Sequence, residues 1–76
     1  MSENAIQKAV RLAGGQSALA RAIGVTQGAV WKWLNNHQKI SPQNAVAISM
    51  ATNGEVKPYE LRPDIPTVFP RPSGDI

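Results

Sequence analysis

The residues best suited to a chemical role are polar side chains beside a short glycine-containing turn, above all Gln27. A glutamine amide both donates and accepts hydrogen bonds, so one side chain can bond to N6 and N7 of adenine together. Such a pair contributes about 1–3 kcal/mol of discrimination between bases. The simpler interpretation of Gln27 is a solvated polar residue at the start of a helix.

Charge is distributed unevenly along the 76 residues, whose formal net charge is +3. Residues 4–54 contain no acidic side chain and carry five cations: Lys8, Arg11, Arg21, Lys32 and Lys39. The acidic residues are Glu3 and four others that follow Gly54. A long segment with only positive charge is the electrostatic footprint expected of a protein that binds a polyanion. A solvated basic face without a partner is the alternative.

Few residues of this sequence could support catalysis or bind a metal. There is no cysteine, and the one histidine, His37, cannot form a metal site with ordinary ligand spacing. No Gly-rich phosphate loop occurs, and residues 4–54 offer no carboxylate as acid or base. We therefore expect no enzyme activity, no cofactor and no metal. No apolar run approaches the roughly 18 residues of a membrane span, and residues 1–4 are unlike a secretory leader, so we expect a cytoplasmic protein without membrane contact.

Hydrophobic spacing predicts a first helix that ends at Gly14-Gly15, because glycine accepts the left-handed capping conformation. Ser2 is the expected N-cap of this helix, with Glu3 in its first turn. One buried stripe at helical spacing consists of Ile6, Ala9, Val10 and Ala13. A second helix is expected over about 16–23.

A third helix is expected over about 27–35, after a turn in which Thr26 can cap it. A fourth starts at Ser41-Pro42, a capping hydroxyl followed by proline at the first helical position, and ends at Asn53-Gly54. Its inward residues are either Val46 and Met50 or Ala45 and Ile48. No strand is predicted. The expected fold class is therefore all-α, a compact bundle of four to five short helices.

The second and third helices, with three residues between them, have the outline of a helix-turn-helix. Ala20 is small enough for the helices to cross closely, and Gly24 can supply the positive φ that the turn needs. Val25 fills the corner. The shared core consists of Leu19, Ile23, Val30 and Trp33. Read from Gln16, the pattern is Gln16-x-x-Leu19-Ala20-x-x-x-Gly24-Val25-x-x-x-x-Val30-x-x-Trp33, which generic amphipathic helices seldom match.

The motif over residues 16–35 resembles the Cro-like and lambda repressor-like regulators of phages and prophages. The segments 40–48, 51–54 and 59–64 are similar to the prophage YdaS-type, antitoxin-like family, so the resemblance covers about residues 4–65. It implies a small transcriptional regulator that binds double-stranded DNA, as a Cro-like repressor does. Some members of that family are described as antitoxins, which implies as an alternative a toxin partner and autoregulation of the operon.

The third helix has one face free of the predicted core, and this face is expected to meet base edges in the major groove. It consists of Thr26, Gln27, Gly28, Trp31, Lys32 and Asn35. Phosphate contacts are expected from the flanking residues Gln16, Ser17, Arg21, Asn36, His37 and Lys39. The resemblance to lambda-type repressors further implies that Gln16 binds a phosphate and braces Gln27.

Several of these residues have competing interpretations. Gly28 either permits close approach of the backbone to a base pair or is a tolerated small residue. Lys32 either reaches guanine or a phosphate or is an ordinary solvated lysine. Trp31 either stacks on a sugar-phosphate edge or a thymine methyl, or serves a subunit contact or extra core burial. Arg11, on the first helix, either stays on a polar face or pairs with the C-terminal tail.

The chain is predicted to divide at residue 64. Residues 1–64 form the expected helix-turn-helix DNA-binding domain. Residues 65–76 form an irregular, flexible, proline-rich tail, since five of the six prolines lie from Pro58 onward.

One such motif reads only about four to six base pairs, so we expect two copies on a palindromic operator. The homodimer would be weak or induced by DNA, formed through the fourth helix and residues 56–61. A module that binds proteins instead of DNA is a further alternative, with the segment 69–72 docking in a partner groove.

Overall fold

The structure, a computed structural model, describes residues 3–70. Five helices occur in this range: α1 Ala5–Ala13, α2 Gln16–Ile23, α3 Gln27–Leu34, α4 Pro42–Ala51 and α5 Pro58–Leu61. No strand occurs within the same residues. The all-α fold class and the bundle of short helices are therefore confirmed. None of these helices is long and apolar enough to cross a bilayer.

α1 begins after Asn4, not after Ser2 as the residue pattern predicts. The Asn4 Oδ1 accepts a hydrogen bond from the backbone N–H of Gln7 at 2.8 Å, and Gln7 Oε1 accepts one from the Asn4 N–H at 2.9 Å. This reciprocal capping box satisfies two N–H groups at the helix start. The prediction of Ser2 as N-cap was wrong for that reason, and Ser2 itself lies outside the described residues.

The turn between α2 and α3 has the geometry that the helix-turn-helix outline requires. Gly24 ends α2 with φ +77°, and the N–H of Val25 donates to the carbonyl of Ala20 at 2.9 Å. Thr26 Oγ1 then accepts a hydrogen bond from the N–H of Ala29 at 3.2 Å, which confirms Thr26 as the N-cap of α3. Only three residues separate the two helices, so their relative orientation is set by this turn.

Two glycines close together in this motif are predicted to respond oppositely to alanine. Gly24→Ala should lower the free energy of unfolding by about 1–2 kcal/mol, because its left-handed φ strains any residue with a Cβ. Gly28→Ala should raise it by about 0.5–1 kcal/mol, because Gly28 is helical and the new Cβ would meet only Thr26 Oγ1, at 3.8 Å. Urea unfolding of both variants tests the pair. Equal effects of the two substitutions would show that the turn does not need glycine.

The core lies between all four longer helices and is completed by two residues of the connecting segments, Ile40 and Val56. The helices contribute Ile6, Ala9, Leu19, Ala20, Val30, Trp33, Ala45 and Ile48. In α4, Ala45 and Ile48 are therefore the inward pair, and the alternative pair Val46 and Met50 is exposed. The predicted helix-turn-helix core is also present, with Ile23 and Val25 half-buried against it.

Val56 is fully buried because a buried hydroxyl anchors the chain beside it. Thr52 Oγ1 donates to the carbonyl of Ile48 at 2.9 Å and accepts from the N–H of Val56 at 3.2 Å. The expectation that residues 56–61 offer a dimer surface was wrong for Val56, since its side chain belongs to the core. Leu61 is half-buried and packs against the same core.

The residues after α5 turn back onto the domain. Val68 and Phe69 each donate their N–H to the carbonyl of Ile65 at 3.0 Å, and Phe69 packs half-buried against the core. The C-terminal part of the predicted tail, residues 71–76, lies outside the described residues.

Candidate nucleic-acid interface

α3 has one buried face and one exposed face. Val30 is fully buried and Trp33 is 5% exposed, so these two side chains fix the helix on the core. The six residues expected to face bases are all exposed: Thr26, Gln27, Gly28, Trp31, Lys32 and Asn35. Their spacing along the helix puts them on one side, opposite the core residues. We call this set the α3 face.

The residues expected to contact phosphates lie on the two segments that precede and follow α3 in the chain. Ser17 and Arg21 are exposed on α2, and Gln16 is half-buried at the first position of that helix. Asn36, His37 and Lys39 are exposed in the loop that joins α3 to α4. The geometry thus separates this set into an α2 group and a loop group.

Most of the acidic side chains in residues 3–70 are engaged away from the α3 face. Glu3 forms a two-pronged pair with Arg11, in which Nε and Nη2 each lie 2.9 Å from a carboxylate oxygen. The Arg11 guanidinium lowers the pKa of Glu3 by this hydrogen bonding. Within the described residues Arg11 thus pairs with Glu3, whereas Asp75, the acidic residue of the predicted C-terminal tail, lies outside them. Arg21 and Lys32 form no ion pair within the described residues.

Lys39 has a partner that the sequence interpretation did not include. Its Nζ lies 3.1 Å from Oδ2 of Asp64, and both groups are exposed. Asp64 also accepts hydrogen bonds from Nε and Nη2 of Arg62, at 2.9 and 3.0 Å, while Arg62 Nη1 donates to the carbonyl of Ile40 at 2.8 Å. Because the ammonium has three N–H donors, a phosphate that binds Lys39 either shares it with Asp64 or displaces the carboxylate. The pairing spans 25 residues, and no local spacing in the sequence signals it.

The Asp64 cluster predicts a pH dependence of stability. Hydrogen bonds from Arg62 and then Lys39 hold the pKa of Asp64 well below its usual range. A carboxyl whose pKa is lower in the folded state stabilises the fold above its unfolded pKa of about 3.9 and loses that effect as pH falls toward the folded value. Asp64→Asn should therefore be less stable than the parent protein at pH 7, with the difference shrinking below pH 4. Thermal unfolding of both proteins at pH 7 and below pH 4 measures this stability difference. A difference that does not change with pH would contradict the stabilising role of the Asp64 carboxylate.

The C-terminal end of α3 is capped by hydrogen bonds and an aromatic stack among residues 31–37. Asn35 Nδ2 donates to the carbonyl of Trp31 at 2.8 Å, so part of the Asn35 amide is already engaged with the backbone. Asn36 has a left-handed φ of +58°. The N–H of His37 reaches the carbonyl of Lys32 at 2.8 Å. The indole of Trp31 stacks on the imidazole of His37, with ring centroids 5.4 Å apart. Sequence spacing gave no signal of this stack.

A groove of about 450 Å³ lies beside the α3 face. Its walls are the start of α1, the loop 36–40 and residues 60–62, and of α3 only Trp33 lines it. The groove is therefore separate from the predicted base-facing set. Within residues 3–70, no three His, Cys, Asp or Glu side chains cluster closely enough to hold a metal ion.

Comparison with known proteins gives two matches that cover most of the chain. The sequence model of the family described as "Bacterial toxin YdaS" matches residues 6–69. A protein of Escherichia coli (strain K12) described as "Putative transcriptional regulator YdaS" is 42% identical over 59 residues, which cover 78% of this chain and 60% of that protein. The chain thus spans less than two thirds of the length of this relative. No solved structure matches the chain with significant similarity.

Proposed function

The chain belongs to the YdaS family, and we propose that it is a transcriptional regulator that binds specific sequences in double-stranded DNA. In this proposal α3 enters the major groove in the manner of Cro-like repressors. The protein acts by binding and not by catalysis. The regulatory description of the E. coli relative supports the proposal.

The observation that carries the proposal is the α3 face itself. All six of its residues are exposed while the opposite side of the helix is anchored in the core. A helix with its side chains is about 10–12 Å across, and the major groove is about 12 Å wide, so α3 fits the groove. Positive charge comes from Lys32 within the α3 face and from Arg21 on α2, neither of which forms an ion pair within residues 3–70.

In this proposal some residues of the interface contact bases and others bind phosphates. Gln27, the first residue of α3, is proposed to bond to a base edge, as the N-terminal residues of recognition helices do. Lys32 lies five residues further along α3, about 1.4 turns, and reaches guanine or a phosphate. Ser17 and Arg21 on α2 and the loop after α3 are proposed to bind phosphates on both sides of the groove. The bracing of Gln27 by Gln16 is part of the same proposal.

A salt titration of duplex binding tests the proposal. The logarithm of the association constant should fall linearly with the logarithm of salt concentration, by about 0.9 for each phosphate neutralised. Lys39→Ala should weaken binding similarly across sequences and reduce this slope by about one, since it removes one phosphate contact. Lys57→Ala, an exposed lysine at the start of α5, is the matched control and should leave the slope unchanged.

An unaltered slope in Lys39→Ala would remove Lys39 from the interface and leave it as the partner of Asp64. Failure of the parent protein to bind any duplex at low salt would overturn the proposal. In that case the protein-interaction module becomes the better interpretation.

A homodimer on a palindromic operator is part of the proposal. Val46 and Met50 lie one turn apart on α4 and are exposed, Met50 at 74%. They form the apolar surface through which two copies would meet, weakly or only on DNA. Sedimentation of the protein alone and with its operator tests this. A single copy in both samples would reject the dimer.

The family description favours a second candidate function. The alternative is a toxin–antitoxin pair that autoregulates its operon, in which the chain is the antitoxin of a toxin partner or, as the family description has it, the toxin itself. Expression of the chain in a bacterial host separates the two. Growth arrest by a variant that no longer binds DNA would favour the second candidate, with the chain as the toxin of the pair.

A further inference from the structure

Trp31 is the residue of the α3 face that had the most open interpretation, and the structure gives it a partner. Its indole and the imidazole of His37 are nearly parallel, with 13° between the ring planes and 5.4 Å between centroids. Both side chains are exposed, Trp31 at 49%. Stacking at this distance stabilises a pair of rings beyond the contribution that burial of their apolar area makes.

The cap of α3 brings His37 to this position independently of the stack. Its N–H donates to the carbonyl of Lys32 at 2.8 Å, and the N–H of Asn36 donates to the carbonyl of Trp33 at 3.3 Å. These are the two hydrogen bonds of a Schellman motif, with Asn36 in the left-handed conformation at its centre. The backbone and the indole therefore constrain His37 together.

Stacking occupies a face of the imidazole and leaves its edge open. The two ring nitrogens lie in the plane of the ring, and at least one carries a proton that can be donated. His37 is exposed, so that edge faces solvent at the end of α3. The stack thus fixes the plane in which the imidazole N–H donor lies.

We infer that Trp31 is a positioning residue, whose indole holds His37 so that the imidazole donates to a DNA phosphate at the C-terminal end of α3. This inference rests on the proposed function. In helix-turn-helix proteins, the segments that flank the recognition helix contact the DNA backbone, while the N-terminal residues of that helix contact base edges. Trp31 lies in the second half of α3 and His37 follows the helix, so both belong to the backbone-contacting end.

The stack acts by fixing a side chain before DNA arrives. Immobilising a side chain on binding weakens association by about two- to tenfold, and a side chain that is already held avoids this cost. Trp31→Ala should therefore weaken duplex binding about two- to tenfold, similarly for all sequences. Trp31→Phe, which keeps a stacking ring, should bind within about twofold of the parent protein.

The test is a double-mutant cycle on a labelled duplex, followed by fluorescence anisotropy. In the His37→Ala background, Trp31→Ala should change affinity by less than about twofold, because its partner is absent. Thr67→Ala, an exposed substitution in the C-terminal turn, is the control for small surface changes. Equal effects of Trp31→Ala in both backgrounds, or a changed base preference in site selection, would overturn the inference and make Trp31 a DNA contact in its own right.

The protein without DNA supplies an independent readout. His37 is the one histidine of the chain, so its ring protons are identified directly by NMR. The indole should shift them upfield relative to their positions in Trp31→Ala, and equal positions would overturn the inference. If the parent protein binds duplex but the double-mutant cycle shows no coupling between Trp31 and His37, the inference alone is overturned. A parent protein that binds no duplex overturns the proposed function as well.

Discussion

Trp33→Ala is expected to lower the free energy of unfolding by about 3–5 kcal/mol, the usual effect of removing a large buried aromatic side chain. Trp33 is 5% exposed and holds α3 on the core together with Val30. A chain of this length has a total stability of about 4–11 kcal/mol. The loss therefore removes a large share of the stability, and urea unfolding followed by circular dichroism measures it.

Trp31→Ala is the matched control, because the same substitution is made two residues away on the same helix. Trp31 is half exposed, so its removal should lower stability by less than about 1 kcal/mol. Comparing the stability losses of Trp33→Ala and Trp31→Ala distinguishes the buried face of α3 from its exposed face. Similar losses of stability in the two variants would contradict the assignment of a buried and an exposed face.

Gln27→Ala is expected to relax the choice of DNA sequence while leaving the fold intact. If Gln27 bonds to a base edge, its loss should reduce discrimination at that base pair by about 1–3 kcal/mol, or roughly five- to more than a hundredfold. The side chain is exposed at the first position of α3, so stability should change little. Selection of bound sites from random duplexes, carried out in parallel with the parent protein, measures the change.

Gln43→Ala is the control for this substitution. Gln43 is also an exposed glutamine in the first turn of a helix, but that helix is α4. Its replacement should leave the selected sites unchanged. Unchanged selectivity in Gln27→Ala would remove Gln27 as the base-reading residue and leave it as a solvated residue at the start of the helix.

Local patterns in the sequence were sufficient for most of the fold. The turn at Gly24, the cap at Thr26 and the start of α4 at Ser41-Pro42 all follow from residue types at fixed spacings, and each is present. The start of α1 was missed although its signal was present. An asparagine followed three residues later by glutamine is itself a capping-box pattern, and it competes successfully with the serine at position 2.

Contacts between distant residues could not be predicted in the same way. Lys39 meets Asp64 only because the chain after α5 returns to the loop beyond α3. Val56 lies in a connecting segment, where burial depends on the hydroxyl of Thr52 and not on any period. The stack of Trp31 on His37 depends on the left-handed turn at Asn36. Each of these is a consequence of tertiary structure, and two of them concern the loop next to the α3 face.

These contacts assign different roles to the two ends of α3 in the candidate interface. The N-terminal half of α3 offers exposed residues for reading bases, with Gln27 first among them. The C-terminal end and the following loop are organised by the stack and by the Asp64 cluster, which suits contact with the DNA backbone. The proposed regulator would thus read sequence with one end of a helix of eight residues.

The most direct test of the central claim, that the α3 face binds DNA, is a titration of duplex DNA into 15N-labelled protein followed by the backbone amide signals. We expect the largest shifts to lie in residues 16–39 and around Asp64, the partner of Lys39, with small changes in α5 and residues 65–70. The proposal would be contradicted if the largest shifts lay at the start of α1 and in α5 instead, or if a bound duplex left the signals of residues 26–35 unchanged.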